Sequence, residues 1–305
     1  MNTPRAWIAG ITAALVLAAG LPAHATDRLE RFRDLAASRL ALAQLGAGDA
    51  SGSAVTELYA LVDEEIVENL ESGGPFAAVA FIQDRLDAFS GAWGGASFQV
   101  LRPRGGRVRG PFTVAIFSLS GVPDSGGMRI YARSGDSIGP VRTVTHDGVP
   151  EVSEWPPARD GSAQWLVTWL GPAAGRGSRP VRMELWRQRG DADATRAWSS
   201  ADLFPDGLAA SHVGLGRGEI TLRYELRYPG WKPGCEGQTE HEDLYRAAAD
   251  GGAPVLARRH VWNGWHRDLG SVVSAFFSAL AGGDARRLAE LVPDARLRQR
   301  LPAGL

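Results

Sequence analysis

Between Cys235 and Asp243 the chain gathers its only thiol, one imidazole and four carboxylates: Cys235, Glu236, Glu240, His241, Glu242 and Asp243. A thiol beside an imidazole is the pair from which a cysteine hydrolase is built: the imidazole removes the thiol proton and a carboxylate orients the ring. Cys235, His241 and Asp243 are therefore the candidate catalytic set of an exported hydrolase. The motif context of known cysteine hydrolases is absent around Cys235, and Gly234 and Gly237 flank it as loop residues. A metal site would draw on His241 with Glu240, Glu242 or Asp243, and on a distant His260 or His266. No H-E-x-x-H spacing is present, and adjacent residues of a strand point to opposite faces, so no metal site is expected.

Three further stretches carry the letters of catalytic motifs without their setting. Gly135-Asp-Ser137-Ile-Gly139 spells a nucleophile elbow, but a strand pattern follows it where a helix is required. Asp191-Ala-Asp193-Ala-Thr195 spells an acidic phosphatase motif, but it follows polar residues in an antiparallel setting and reads as a solvated turn. Gly214-Leu-Gly216-Arg-Gly218 leads into a strand, so no helix N-terminus is available to take a phosphate. No cofactor is implied by any of them. The aromatic residues give the other signal. Tyr224, Trp231, Tyr245, Trp262 and Trp265 combine apolar bodies with polar edges and are the candidate ligand-binding residues. Trp165 and Trp169, on one face of their strand with Val167, read as core.

The element that must position this chemistry is Glu219–Tyr228, in which Ile220, Leu222, Tyr224, Leu226 and Tyr228 alternate with charged or polar residues. A period of two marks a half-buried antiparallel strand. The following strand pattern, Glu240 to Ala247, has two registers open to it. Either His241, Asp243 and Tyr245 face inward with Tyr224 and Leu226, or Glu240, Glu242 and Leu244 do, and only the first makes a polar-lined pocket.

Around that pair the chain reads as α+β: N-terminal helices, an extended antiparallel β meander, and C-terminal helices packed on the sheet. Residues 26 to 90 carry three helical apolar patterns, broken at Gly46-Ala-Gly48 and at Ser72-Gly-Gly-Pro75. From Ser97 the period becomes two, and ten strand patterns run to Trp262 with turn signals such as Asp147-Gly148 and Asp250-Gly-Gly252 between them. Ser199 to Gly218 reads as a loop, and Glu151 to Arg159, with its prolines, as a boundary inside the β region. The helical period returns from Asp268. The expected organisation is a signal peptide at 1–25, a helical segment with a first β portion at 26–157, a second β portion at 158–266, and C-terminal helices at 267–305.

The signal peptide is read from Arg5, the apolar run Ile8 to Leu21, and the A-x-A pattern ending at Ala25. The mature chain is then exported, periplasmic or secreted, with no membrane span after cleavage. Of 33 basic and 34 acidic residues, cleavage removes only Arg5, leaving a net charge of −2. Such a chain has no bulk attraction for nucleic acid or anionic lipid. A single cysteine excludes an internal disulfide, so stability rests on the core, for which 44% apolar content is ample. Two partner classes remain: a small molecule or another envelope protein.

One phrase occurs twice. Leu45-Gly-Ala-Gly48-Asp49-Ala50 is matched by Leu280-Ala-Gly-Gly283-Asp284-Ala285, and Leu61-Val62-Asp63 by Leu291-Val292-Pro-Asp294. In both, Gly ends one helix and Asp starts the next. This helix–Gly-Asp–helix phrase resembles the opening of NTF2-like (SnoaL-like) domains, which implies helices packed on a curved antiparallel sheet around a pocket. The resemblance covers about 25 residues in each copy, and the matching positions are structural, so no catalytic residue carries over. The β region is similar to exported bacterial proteins without assigned activity, which implies none. The favoured expectation is a non-catalytic exported protein that binds a small molecule or an envelope component; the alternative is the hydrolase centred on Cys235, His241 and Asp243.

Overall fold

The computed structural model describes residues 23–44, 51–105, 112–119, 125–228, 231 and 237–301. The chain is α+β. Helices α1 (Ala23–Gln44), α2 (Ser51–Ser72) and α3 (Val79–Trp93) precede strands β1 (Ser97–Leu101), β2 (Thr113–Ser118), β3 (Gly127–Ser134) and β4 (Ser137–Thr145). These strands form one antiparallel sheet in the order β1-β2-β3-β4. A second antiparallel sheet holds β5 (Val149–Trp155), β6 (Gln164–Leu170), β7 (Arg179–Arg189), β8 (Asp193–Ser199), β9 (Leu208–Gly216), β10 (Glu219–Glu225), β11 (Glu240–Arg246) and β12 (Val255–Trp262). Its order is β12-β11-β10-β9-β7-β6-β5, with β8 also on β7. Helices α4 (Gly264–Ala281), α5 (Ala285–Leu291) and α6 (Ala295–Arg298) follow. Among the described residues no helix is long and apolar enough to cross a membrane.

The described residues fall into two compact units. The first lies within Met1–Pro103, Arg107–Val152 and Gln188–Ala194, the second within Arg104–Gly106, Ser153–Arg187 and Thr195–Leu305. In the first, Leu58, Val62 and Ile66 of α2 and Ile82, Leu86, Phe89 and Trp93 of α3 recur at helical spacing and are buried with Phe32, Phe98 and Phe117. Glu65 shares the inner face of α2 and is 1% exposed. Arg28 of α1 reaches it at 2.6 Å and Arg85 of α3 at 2.7 Å, so one carboxylate ties three helices together. In the second unit Trp165, Val167 and Trp169 are fully buried, as their shared face suggested.

Two strands stand where sequence patterning shows none. β9 occupies part of the expected loop Ser199–Gly218. Its run Leu-Ala-Ala-Ser-His-Val-Gly-Leu-Gly is too small and glycine-rich to declare a strand, and pairing with β10 and β7 makes it one. β5 crosses the expected boundary with Pro150 inside it, and Pro140 lies inside β4. Both strands are sheet edges, where proline is tolerated. β7 has β6 along one side, so β8 and β9 follow one another along its other side. In the gap between them the Met183 N–H donates to Ser200 Oγ at 2.9 Å, which keeps the ladder satisfied. The motif-like stretches all fall at hairpins and run into the flanking strands: Gly135 and Asp136 join β3 to β4, Gly190 to Ala192 joins β7 to β8, and Arg217-Gly218 joins β9 to β10. Gly218 has φ 76, and a Cβ there would lie 2.8 Å from Pro156 Cγ, so glycine is required.

Replacing Glu65 by Gln removes the carboxylate that Arg28 and Arg85 share, leaving Arg28 with Glu68 and Glu64, although the two arginine side chains are only 12% and 20% exposed. Loss of one partner of a buried pair costs about 3–5 kcal/mol. Urea unfolding of Glu65→Gln should show a loss of that size, while Glu64→Gln, whose side chain is 63% exposed, should change little.

Candidate functional site

β10 and β11 pair so that Tyr224 faces His241, Leu222 faces Asp243 and Ile220 faces Tyr245. Burial alternates along β11: His241, Asp243 and Tyr245 are buried, and Glu240, Glu242 and Leu244 are only partly so. The inward register is therefore the one that brings His241, Asp243 and Tyr245 together with Tyr224. On the opposite face Arg223 ion-pairs with Glu240 and lies 4.9 Å over the Trp262 ring.

Two bulges complete the inward face. Between β11 and β12 the register passes from Leu244↔Arg258 to Tyr245↔Leu256, leaving Ala257 unmatched. In a regular strand Arg259 and Leu256 would point to opposite faces; the extra residue puts both on the side of Asp243 and Tyr245. Between β9 and β10 the same device leaves Ser211 unmatched and sets Ala210 opposite Tyr224. The Ser211 hydroxyl donates to the Arg223 carbonyl at 3.2 Å and ties that bulge down.

Asp243 lies at the centre, with no exposed surface. Its Oδ1 accepts from Arg259 Nε at 2.7 Å, and its Oδ2 accepts from Arg259 Nη2 at 2.8 Å, Tyr224 OH at 2.9 Å and Tyr245 OH at 3.2 Å. Burial alone would raise the Asp243 pKa, but the bonds from Arg259 and Tyr224, and the Arg259 charge, outweigh it and hold the carboxyl below its usual range. The tyrosines shift the other way. Burial, then the hydrogen bond and charge of Asp243, push Tyr224 up. Burial, then the charge of Asp243, push Tyr245 up to about 12. At neutral pH the cluster is thus a carboxylate, a guanidinium and two phenols, with no net charge.

His241 stands beside this cluster, its Nδ1 3.4 Å from Tyr224 OH and its ring edge-on to the Tyr224 ring at 5.6 Å. Burial, then the Arg259 charge, lower its pKa, and Asp243 opposes them only in part. The imidazole is neutral at pH 7. Both oxygens of Asp243 are taken by the tyrosines and Arg259, so this carboxylate does not orient His241 as a hydrolase would require. Cys235 lies outside the described residues. Among the described residues no group of three or more His, Cys, Asp or Glu side chains could hold a metal ion.

Above the cluster opens a cavity of about 890 Å³. Tyr224, His241, Tyr245 and Arg259 form its floor, and Leu203, Phe204, Leu208, Leu226 and Leu256 supply apolar wall. Trp231 also lines it, with its indole N–H donating to Glu225 Oε2 at 3.0 Å and Arg227 lying 5.5 Å over its ring. Of the residues singled out from sequence, Tyr224, Trp231, Tyr245 and His241 thus meet at one cavity. Trp262 and Trp265 do not line it. Trp262 pairs with Glu240 and so points to the other face, and Trp265 projects from α4 with 62% exposure. Arg259, Phe204, Leu208 and Leu256 escaped sequence reading; a bulge aims Arg259 and Leu256, and the other two sit in the segment that reads as a loop.

Comparison with family models, with curated proteins and with solved structures returns no match.

Asp243→Asn turns one acceptor edge of the carboxylate into a donor facing other donors. It should cost about 2–4 kcal/mol in urea unfolding, at the low side for a buried pair because the Arg259 side chain is 41% exposed. The pH dependence has a definite sign. His241 titrates lower folded than unfolded, so as pH falls through about 6.5 the unfolded chain takes up its proton first and this contribution to stability is lost. The urea midpoint of the wild type should fall between pH 7 and 5, and His241→Gln should flatten that slope. Asp243 is also depressed, so its contribution persists to lower pH and disappears only as pH drops through its folded value, below 3.8.

Proposed function

We propose that this is a non-catalytic exported protein whose second unit binds a small, mainly apolar molecule in the cavity above Tyr224, His241, Tyr245 and Arg259. The observation that carries this reading is the contrast between wall and floor. Much of the wall is apolar, with Asp206, Glu225 and Arg227 also lining the cavity, and the floor is a charge-balanced polar network whose phenolic protons are committed to Asp243. The cavity, about 890 Å³, is within the range of small-molecule sites. With both phenolic protons held by Asp243, the tyrosine oxygens are left as acceptors, and neutral His241 adds one donor and one acceptor. A ligand with an apolar body and one or two hydroxyl or amide groups suits that arrangement; a strongly charged one finds no free counter-charge on the floor.

Export rests on the apolar run Ile8 to Leu21 and the pattern ending at Ala25, of which residues 1–22 lie outside the described residues. The mature protein is then periplasmic or secreted, and its ligand comes from the envelope or the medium. For the first unit, three helices sharing a core with a four-stranded antiparallel sheet support an NTF2-like architecture as a proposal, with no residue there given a chemical role.

The test uses an uncharged probe, a medium-chain fatty alcohol, followed by calorimetry and by the part of the tryptophan fluorescence change that Trp231→Phe removes. Leu256 lines the cavity and is 45% exposed, so Leu256→Trp narrows the space without disturbing the core. The wild type should bind the probe, Leu256→Trp should weaken binding at least about tenfold, equal to 1.4 kcal/mol, and its thermal midpoint should not change. Absence of binding, or binding indifferent to both Leu256→Trp and Phe204→Ala, counts against the cavity as a ligand site.

A further inference from the structure

Among the described residues thirteen large apolar side chains are exposed, and nine of them lie between Val255 and Phe277. Scattered singly they would need no explanation, but a contiguous patch on a water-soluble surface marks a site that something covers. Most of this patch belongs to α4. Trp265, Leu269, Val272, Val273 and Phe277 recur at helical spacing and fall on one face of the helix, with exposures of 62%, 54%, 50%, 44% and 51%. Only the far end of the stripe is occupied within the chain: Leu280 is buried, next to the turn at which Asp284 caps α5 through the Arg287 N–H. The helix is held in this pose at its first turn, where the Arg267 N–H donates to Thr239 Oγ1 at 3.1 Å and the Thr239 hydroxyl donates to the Asn263 carbonyl at 2.8 Å.

We infer that the α4 stripe is the interface with a second copy of this chain. The chemistry of the two faces of the helix selects that occupant. A membrane-surface helix sets a Lys- and Arg-rich face opposite its apolar one. The other face of α4 is Ser271, Ser274 and Ser278, with Arg267 paired to Asp268 at 2.9 Å, so nothing draws it to anionic lipid. No charged side chain interrupts the stripe between Leu269 and Phe277, so it carries nothing to select a partner of opposite sign. An uncharged stripe is complementary to itself, as an isologous twofold contact requires. Area agrees. The five stripe side chains expose on the order of 500 Å² per chain, which a polar rim brings toward the roughly 800 Å² a side of a stable complex. The free edge of β12 is not the contact, since Arg258 and Arg259 stand in its middle and the Ala257 bulge breaks its regularity.

Sedimentation velocity and light scattering at micromolar concentration, with reductant present so that Cys235 cannot bridge chains, should give twice the chain mass for the wild type. Leu269→Asp/Phe277→Asp should give the single-chain mass with unchanged circular dichroism and thermal midpoint. Trp265→Ser, at the most exposed position, should weaken the dimer at least about tenfold, as truncating an interface aromatic does. Ser274→Glu, on the opposite face, should leave the dimer intact. A wild type that stays a monomer overturns the inference, and so does a dimer that survives both stripe variants. A monomer that co-sediments with phosphatidylglycerol vesicles through the stripe assigns it to lipid and overturns the inference as well.

Discussion

Strands β10 to β12 of the second sheet depend on one buried carboxylate, Asp243. A charge taken out of water is tolerable only if every lone pair finds a donor, and Asp243 finds four hydrogen bonds from three strands: Tyr224 on β10, Tyr245 on its own β11, and Arg259 twice from β12. Each donor adds a geometric condition. Tyr224 can reach Asp243 only if the β10–β11 register sets Leu222 against it, and Arg259 can do so only if β12 pairs residue for residue at that point. A slip of one residue would put Glu242 in the carboxylate's place and turn Tyr245 outward. The network therefore selects a register that the apolar pattern of β11, with only Leu244 and Tyr245 among its larger apolar groups, specifies weakly.

The same network decides what kind of cavity lies above it. Had Asp243 been left with a free oxygen, the floor would attract cations; had Arg259 been unpaired, it would attract anions. With the two joined and both phenolic protons spent on the carboxylate, the floor offers acceptors and a neutral imidazole but no net charge. Lowered His241 and Asp243 pKa values and raised tyrosine values have one origin: burial that acts on every group, and a guanidinium that turns it to the carboxylate's advantage.

How much of this was legible in the sequence depends on whether the signal is local. Strict alternation in Glu219–Glu225 and the matched faces of Trp165, Val167 and Trp169 are local, and the structure places them as the pattern requires. The two candidate registers of β11 were legible, but the choice between them was not, because it rests on Arg259, which lies sixteen residues beyond Asp243 on a different strand. β9 was hidden because its residues are small and its pairing comes from outside. Trp262 and Trp265 drew notice as aromatic residues near polar tips, a pattern blind to which face of β12 or α4 carries them. The Gly-Asp corner shows the same division. At Asp284 the cap is present, with Oδ1 accepting from the Arg287 N–H at 2.9 Å, whereas its counterpart at Asp49 lies outside the described residues.

β12 brings these constraints together. As the last strand of its sheet it pairs on one side only, and every one of its residues is exposed, so little apolar burial holds it in place. What holds it is the ladder to β11, the pair of hydrogen bonds from Arg259 to Asp243 on one face, and Arg223 stacked on Trp262 on the other. Surface ion pairs contribute little because water competes for both partners, but here one partner is fully buried and cannot be rehydrated in place. The link is for that reason stronger than the half-exposed guanidinium would suggest, and it serves two ends with one residue. Arg259 neutralises the carboxylate that sets the register of the sheet, and it pins the edge strand that carries Leu256 into the wall of the cavity.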